Sequence, residues 1–189
     1  NLRLKAKALH LKSEDYLTGK IKDMDALYKG KSVVENFNTD TLTKLYAEKS
    51  LDIDDVLKEN PEFTPFPNSY YVLKSENSSG LAYYNALDKT LDHVEKRSVY
   101  GIKPRNAEQA FAIHAILNPS VKLVSLTGVA GTGKTLIALA ASLEQRRDFK
   151  QIYLARPIVP LSNRDLGYLP GDAKEKINPY MQPLWDNLK

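Results

Sequence analysis

Hydrophobic residues recur every three to four positions in the middle of the chain, which predicts amphipathic helices. The pattern is strongest over residues 107–117, and it is shorter over 41–47 and 53–58. Asp40 and Asp52 lie near the starts of the two shorter segments. Both are suitable N-caps, because their carboxylates can accept hydrogen bonds from first-turn amides.

Two runs rich in tyrosine and aliphatic residues predict a β-hairpin. They cover 69–73 and 81–85 and are separated by the polar stretch 75–80. Residues 91–95 predict a third strand, so we expect a small β-containing module over residues 32–97. The hairpin tyrosines offer a base-stacking surface, although the acidic charge of the module argues against that role. These tyrosines are Tyr70, Tyr71, Tyr83 and Tyr84.

The two ends of the chain predict further helices. Residues 1–16 carry a loose apolar stripe, which predicts one short helix. Residues 178–188 place Trp185 on an apolar face behind a helix-starting proline, Pro179. We interpret Trp185 as a packing residue.

Residues 121–155 follow the order strand, glycine-rich loop, helix, strand. Residues 121–127 form an apolar run suited to a buried strand, and helical spacing resumes over 136–143. Residues 151–155 predict a second strand, parallel to the first. The loop therefore precedes a helix N-terminus, where backbone N–H groups and the helix dipole favour an anion.

The loop fits the phosphate-binding pattern G-x-x-x-x-G-K-[ST]. It consists of Gly128, Val129, Ala130, Gly131, Thr132, Gly133, Lys134 and Thr135. The glycines allow the backbone to curl until its N–H groups converge on a phosphate. Lys134 can reach the terminal phosphates, and the Thr135 hydroxyl can bind Mg²⁺. We therefore predict a nucleoside triphosphate site in which Lys134 and Thr135 are the candidate catalytic residues and Thr135 is the candidate metal ligand.

Composition is typical of a globular protein. The chain has 189 residues, of which 42% are hydrophobic and 26% are charged. It has no cysteine, which excludes disulfides and thiolate metal sites and fits a reducing compartment, so we expect a cytoplasmic protein. No apolar run is long enough for a membrane span, and the N-terminus does not resemble a signal sequence. Because the sequence does not begin with Met, we expect it to be a piece of a longer chain.

Charge divides the sequence into three segments. Residues 1–31 carry eight basic and four acidic side chains, residues 32–95 carry five and twelve, and residues 96–189 carry fourteen and seven. A basic segment around a phosphate-binding loop is compatible with nucleic-acid binding and equally with a solvated surface.

Several motifs resemble the PhoH-like ATPases. They are Tyr-Gly-Ile-Lys-Pro-Arg-Asn-Ala-Glu-Gln at 100–109, the P-loop, Ile-Tyr-Leu-Ala-Arg-Pro at 152–157 and Gly-Tyr-Leu-Pro-Gly-Asp at 167–172. The resemblance implies an α/β fold with a RecA-like P-loop core related to superfamily 1 helicases. It also implies ATP hydrolysis, single-stranded RNA as a partner and a homo-oligomer, a hexamer. Because no apolar run is long enough for a membrane span, we expect no membrane association.

The longer branch of that family has an N-terminal PIN nuclease domain, and the start of this chain resembles the end of such a domain. We therefore predict three parts. Residues 1–31 would be the tail of a PIN-like domain and a connector, and residues 32–98 a small acidic β-containing linker module. Residues 99–189 would be the N-terminal half of the ATPase domain.

The resemblance also implies an adenine pocket. Gln109 would read the adenine edge, since a side-chain amide can donate and accept hydrogen bonds at the same time. Arg105 and Asn106 would shape the pocket, and Tyr100 would stack on the base. Arg156 resembles a helicase residue that contacts a nucleic-acid backbone, and a structural salt bridge is the alternative for it. No Asn-Lys-x-Asp motif is present, which favours ATP over GTP.

A P-loop ATPase also needs an acidic residue on another strand to hold Mg²⁺. No apolar strand ending in adjacent acids follows Thr135, and Asp148 and Asp186 lie in unsuitable settings. We therefore expect the core to be truncated before its acidic strand, and this chain alone to hydrolyse ATP weakly or not at all. Any PIN acidic residues would precede Asn1, so no nuclease activity is assigned.

Two other functions use the same loop. A P-loop kinase needs an acceptor pocket and a lid with arginines, for which Arg164 is the only hint in the sequence. A nucleotide-dependent protein switch needs binding without mechanical work. The three histidines, His10, His93 and His114, show no metal-ligand spacing.

Overall fold

The computed structural model describes residues 2–13 and 30–155 of the chain. These residues belong to two compact units, 1–30 and 31–189. The first unit contains helix α1 (Leu2–Ala8). The elements of the second unit are, in chain order, β1 (Lys31–Val34), α2 (Thr39–Glu48), β2 (Ser50–Asp52), α3 (Ile53–Glu59), β3 (Tyr70–Lys74), β4 (Ser79–Asn85), β5 (Thr90–His93), α4 (Ala107–Leu117) and α5 (Lys134–Glu144).

Helix α1 is shorter than the helix predicted within residues 1–16. His10 adopts a left-handed backbone conformation with φ of 58°. The Leu11 N–H donates to the Ala6 carbonyl at 2.9 Å, which closes the last turn and ends the helix. Residues 14–16, like the predicted helix over 178–188, lie outside the described residues.

The five strands form one mixed sheet in the order β1-β3-β4-β5-β2. β1 runs parallel to β3, and the other neighbours are antiparallel. The β3–β4 hairpin and β5 confirm the three predicted strands. The sequence pattern does not predict the edge strands β1 and β2, because four and three residues are too few to show an alternation.

Side chains of the sheet alternate between two faces, and helices α2 and α3 cover one of them. Leu42 and Leu45 of α2 and Val56 of α3 form a buried cluster with Leu73 and Leu91 of the sheet. The two-residue repeat of a strand directs these sheet side chains to the same face. This cluster is the larger hydrophobic core of the second unit.

Helix α4 covers the opposite face of the sheet. The Tyr70 ring centroid lies 4.9 Å from that of Phe111, and the Tyr70 hydroxyl lies 3.0 Å from His114 Nδ1. Tyr70, Tyr71 and Tyr83 are all buried. The base-stacking interpretation of the hairpin tyrosines is therefore wrong for these three, because their rings fill the core.

Helix α4 packs in turn against α5. Ile113 of α4 and Ile137 and Ala140 of α5 form a buried cluster around Val99. The sheet thus positions α4, and α4 positions the helix that follows the glycine-rich loop. The helices predicted over 107–117 and 136–143 are confirmed.

The N-caps of α2 and α3 differ in how well the sequence predicts them. Asp52 caps α3 as expected, and its carboxylate accepts from the Asp54 N–H at 2.8 Å. Asn38, not Asp40, caps α2, because the helix begins at Thr39 and the Asn38 side chain accepts from the Thr41 N–H. Asp40 instead lies in the first turn.

The strands predicted over 121–127 and 151–155 are not formed, because both segments are irregular. Leu123 is 85% exposed and Tyr153 is 87% exposed. A strand forms only through backbone hydrogen bonds to a neighbouring strand, and none of the described strands pairs with either segment. Among the described residues, neither apolar segment has a partner strand that would bury it.

Candidate nucleotide-binding site

The glycine-rich loop over 128–135 leads directly into α5, which begins at Lys134. Gly131 and Gly133 have φ of 79° and 81°, in the left-handed region where a side chain strains the backbone. Gly133 is the N-cap of α5 and makes no side-chain cap hydrogen bond. The first-turn N–H groups therefore lack an acceptor from their cap, an arrangement that suits an anion at the positive end of the helix dipole.

Lys134 folds back over the loop. Its ammonium donates to the Gly128 carbonyl at 2.9 Å and to the Val129 carbonyl at 2.7 Å, and it lies 3.3 Å from Thr132 Oγ1. The Thr132 hydroxyl donates to the Val129 carbonyl at 2.9 Å. These contacts hold the charged end of Lys134 against the start of the loop. Its two main partners there are uncharged backbone carbonyls, which a phosphate can replace.

The outer side of the loop faces solvent. Val129 is 79% exposed, and Ala130 and Thr135 are also exposed. Thr135 lies in the first turn of α5, so its hydroxyl is placed beside the helix N-terminus. A ligand can therefore reach the loop and the predicted Mg²⁺ ligand from the same side.

Acidic side chains are not grouped around Thr135 in the described residues. No cluster of three His, Asp or Glu side chains in that part of the chain is arranged to hold a metal ion. Asp148 lies in the turn after α5, whose 11 residues span roughly 15 Å from the Thr135 end. Asp148 is therefore too distant to share a metal ion with Thr135, as its sequence setting predicts, and Asp186 lies outside the described residues.

Gln109 connects helix α4 to the loop. Its side-chain Oε1 accepts from the Arg105 N–H at 2.8 Å, and its Nε2 donates to the Thr132 carbonyl at 3.2 Å. A Cβ atom placed on Gly133 would lie 3.2 Å from Gln109 Nε2, so the helix and the loop approach closely here. The residue predicted to read adenine thus lies against the phosphate-binding loop.

Asn106 and Arg105 lie beside Gln109. Asn106 is the N-cap of α4, and its side-chain oxygen accepts from the Gln109 N–H at 2.9 Å. Arg105 is exposed, and its backbone N–H is held by the Gln109 side chain. The structure thus brings three of the four predicted adenine-pocket residues together, and their contact with a base stays a prediction.

Tyr100 lies elsewhere. Its backbone N–H donates to Glu144 Oε2 at 2.8 Å, at the C-terminal end of α5, and the Arg146 guanidinium lies 5.3 Å from its ring centroid. The phosphate-binding loop is at the N-terminal end of the same helix. The contacts of Tyr100 therefore do not support stacking on a base that is bound beside Gln109.

A cleft of about 1010 Å³ separates the two segments that were expected to be strands. Its lining includes Val124 and Leu126 from the first segment, Ile152 and Leu154 from the second, and Lys134 and Thr135 from the loop. The apolar side chains of both predicted strands therefore border the same open space next to the loop.

The sequence does not predict the hydrogen bond between Gln109 and Thr132. The two residues are 23 positions apart, and no local pattern encodes a contact over that distance. The cap of α4 carries a signal, because an asparagine immediately before a strong apolar repeat is a typical helix start. Asn106 can be identified on that ground as a cap.

No helix in the described ranges, 2–13 and 30–155, has the length and apolar character that crossing a membrane requires.

Comparisons with known proteins identify relatives of this chain. The family described as "PhoH-like protein" matches residues 101–189, a range that includes the loop, α4 and α5. "Protein PhoH2" of Bacillus subtilis (strain 168) is 37% identical over 197 residues, which cover 100% of this chain and 43% of that protein. "Protein PhoH2" of Mycolicibacterium smegmatis is 32% identical over 193 residues, covering 100% of this chain and 42% of that protein.

A shorter match covers half of the chain. "Protein PhoH" of Escherichia coli (strain K12) is 38% identical over 96 residues, which are 50% of this chain and 26% of that protein. The chain spans about 43% of the length of the Bacillus relative. No solved structure matches it. The matched range, the glycine-rich loop within it and the PhoH2 relatives support a PhoH-like protein.

Proposed function

We propose that this chain binds ATP at the loop over 128–135 and forms part of the ATP-hydrolysing core of a PhoH-like protein. Similarity to that family suggests a P-loop ATPase-like function. The observation that carries the proposal is the loop itself, which enters α5 through a left-handed Gly133 with the Lys134 ammonium folded over it. Backbone N–H groups, a helix N-terminus and an ammonium belong to the same short loop, and together they are the donor set that a triphosphate requires.

Each residue has a proposed role in that site. The amides over 128–135 bind phosphate oxygens, and Lys134 exchanges its two carbonyl partners for the β- and γ-phosphates. The Thr135 hydroxyl would hold Mg²⁺, which would supply positive charge beside the phosphates during hydrolysis. Gln109, flanked by Arg105 and Asn106, reads adenine with its amide.

We propose that the acidic partner of Thr135 comes from a further strand of a RecA-like sheet. The cleft of about 1010 Å³ between 121–127 and 151–155 supports this, because a strand with apolar side chains would pair with both segments and bury them. A protein without such a strand would hydrolyse ATP weakly or not at all. An acidic residue on such a strand would end near the loop, since Lys134 and Thr135 border the same cleft.

We further propose that the intact protein directs its ATPase to single-stranded RNA and assembles as a hexamer. The basic excess of residues 96–189 supports the nucleic-acid partner, since this segment has fourteen basic side chains and seven acidic ones. A PIN-like domain before residue 31 and a linker module over 32–98 belong to the same proposal. In the structure the module is packed to α4 through the hairpin tyrosines, so it would move together with the ATPase segment.

ATP binding tests the proposal. Lys134→Ala should weaken the binding of a fluorescent ATP analogue by at least tenfold, because it removes the only side-chain cation that the described contacts place at the loop. Lys150→Ala makes the same charge change on an exposed residue beyond α5 and should leave binding unchanged. Equal affinity of the Lys134→Ala variant and the wild type would contradict the proposed site.

A further inference from the structure

We propose that Gln109 is a positioning residue of the phosphate-binding loop and that it couples the base end of the nucleotide site to the phosphate end. The inference rests on the proposed function, because it assigns a second role to a residue of that site. Reading the base would require only that Gln109 face the base. Its contacts in the structure show that its amide is also fixed to the loop.

The first observation is that both ends of the Gln109 amide have backbone partners. Oε1 accepts from the Arg105 N–H, and Nε2 donates to the Thr132 carbonyl. Because the two partners differ in kind, one a donor and one an acceptor, the amide cannot rotate by half a turn without losing both bonds. One lone pair of Oε1 and one hydrogen of Nε2 remain for a ligand. A donor and an acceptor side by side match adenine, whose ring edge presents the complementary pair.

The second observation concerns the peptide plane between Thr132 and Gly133. A trans peptide directs its C=O and its N–H to opposite sides. When Gln109 holds the Thr132 carbonyl on the side of α4, the Gly133 N–H must point away from α4. This N–H immediately precedes α5 and is one of the donors that would bind phosphate. Gln109 thus orients a phosphate donor that it does not touch.

The third observation is that Gln109 is anchored to a rigid element. It lies in the first turn of α4, where Asn106 caps its backbone N–H, and Ala110 and Phe111 beside it are buried against the sheet. The close approach of Gly133, where an added Cβ would lie 3.2 Å from Nε2, leaves little room for the loop to move towards the helix. The Gln109 amide therefore connects a fixed helix to the left-handed turn of the loop by a hydrogen bond.

The coupling follows from these contacts. A base bound at the free edge of the Gln109 amide fixes the same side chain that holds the Thr132–Gly133 peptide. A phosphate group bound to the loop fixes that peptide and, through it, the amide. Each half of the nucleotide therefore lowers the entropic cost of binding the other half.

A ligand without a base separates the two roles. The experiment measures the affinity of the intact protein for inorganic tripolyphosphate and for ATP by calorimetry, in the wild type and in Gln109→Met, which keeps the side-chain length and removes both polar atoms. We expect Gln109→Met to weaken tripolyphosphate binding about five- to tenfold, the loss typical of one hydrogen bond. ATP binding should weaken by a larger factor, because the base contact is lost as well.

The control is Glu108→Gln, an isosteric change in the same turn of α4 whose carboxylate pairs with Lys31 rather than with the loop. It should leave both affinities unchanged. Gln109→Ala provides a second variant with the same expected result, and an unchanged unfolding temperature would show that each variant is folded.

Unchanged tripolyphosphate affinity in both Gln109 variants, with ATP affinity reduced, would overturn the positioning role and leave Gln109 as a base reader only. Failure of the wild type to bind either ligand would instead overturn the proposed function, and the coupling with it. The two failures are therefore distinguishable.

Discussion

Two side chains contact the glycine-rich loop near its two ends. Lys134 contacts the carbonyls at its beginning, and Gln109 contacts the Thr132 carbonyl just before its end. Between these contacts the loop contains glycines, and Gly133 is needed for two reasons. It needs a left-handed φ of 81°, and it faces the Gln109 amide.

Gly133→Ala should therefore reduce both stability and ligand affinity. The strained φ costs about 1 kcal/mol, and the new Cβ pushes against Gln109 Nε2, so we expect ATP affinity to fall at least tenfold. Gly101→Ala is the matched control, because Gly101 has φ of 79° and no atom within 4 Å of an added Cβ. It should lose a similar amount of stability in urea titration and keep its ATP affinity. A Gly133→Ala variant with normal ATP affinity would contradict the described loop.

At the scale of elements, short helices depend on their caps. Helix α2 is held by Asn38, whose side-chain oxygen accepts from the Thr41 N–H at 2.9 Å and from the Thr41 hydroxyl at 3.2 Å. The Asn38 N–H donates to Asn60 Oδ1 at 2.8 Å, which connects the start of α2 to the end of α3. The two helices that cover one face of the sheet are thus joined through two asparagines.

We predict that Asn38→Ala lowers the free energy of unfolding by about 1 kcal/mol, the usual loss for a removed N-cap. Asp40→Asn should change it by a few tenths of a kcal/mol, since Asp40 contributes only its charge in the first turn. Urea titration of the two variants beside the wild type distinguishes them. A larger loss in Asp40→Asn would restore Asp40 as the cap.

Elements with strong local signals are predicted from the sequence, and those that need a distant partner are not. The apolar repeat over 107–117 predicts α4 to the residue, since eleven positions record which face is buried. The segments predicted to be strands, 121–127 and 151–155, are also apolar, but a strand forms only by pairing with another strand, and among the described residues neither segment is paired. In the site, the loop motif predicts Lys134 and Gly133 because it is contiguous, whereas the Gln109–Thr132 bond and the position of Tyr100 depend on how helices pack.

Across the whole molecule, the second unit is built in layers. Helix α4 packs against the sheet, and α5, which follows the glycine-rich loop, packs against α4. His114 of α4 lies beside the Tyr70 hydroxyl and the Tyr83 ring. Burial lowers the pKa of the His114 imidazole below its usual 6.5, with Asp92 opposing this and Arg97 adding to it. The neutral imidazole is therefore the form that the folded unit favours.

The sign of the pH dependence follows from linkage. The unfolded chain takes up a proton on His114 at a higher pH than the folded chain does, so stability is full above pH 6.5 and falls as the pH drops below it. His93, whose pKa burial also lowers, contributes in the same direction. Exposed carboxyls with lowered pKa values, such as Glu95, act only below 4.5.

We expect His114→Gln to flatten the loss of stability just below pH 6.5, because glutamine does not titrate. Chemical unfolding of wild type and variant at a series of pH values measures this. His10→Gln, at an exposed position in the turn that closes α1, serves as the control and should keep the wild-type slope. If His114→Gln leaves the slope unchanged, protonation of His114 does not cause the pH dependence of the free energy of unfolding.

We propose that the glycine-rich loop binds ATP for hydrolysis. The most direct test is the rate of ATP hydrolysis by the intact protein, with and without single-stranded RNA, in the wild type and in Lys134→Ala. We predict turnover that RNA increases and that Lys134→Ala reduces at least a hundredfold, since the cation at the β/γ-phosphates is lost. Turnover that persists in Lys134→Ala would contradict ATP hydrolysis at this loop.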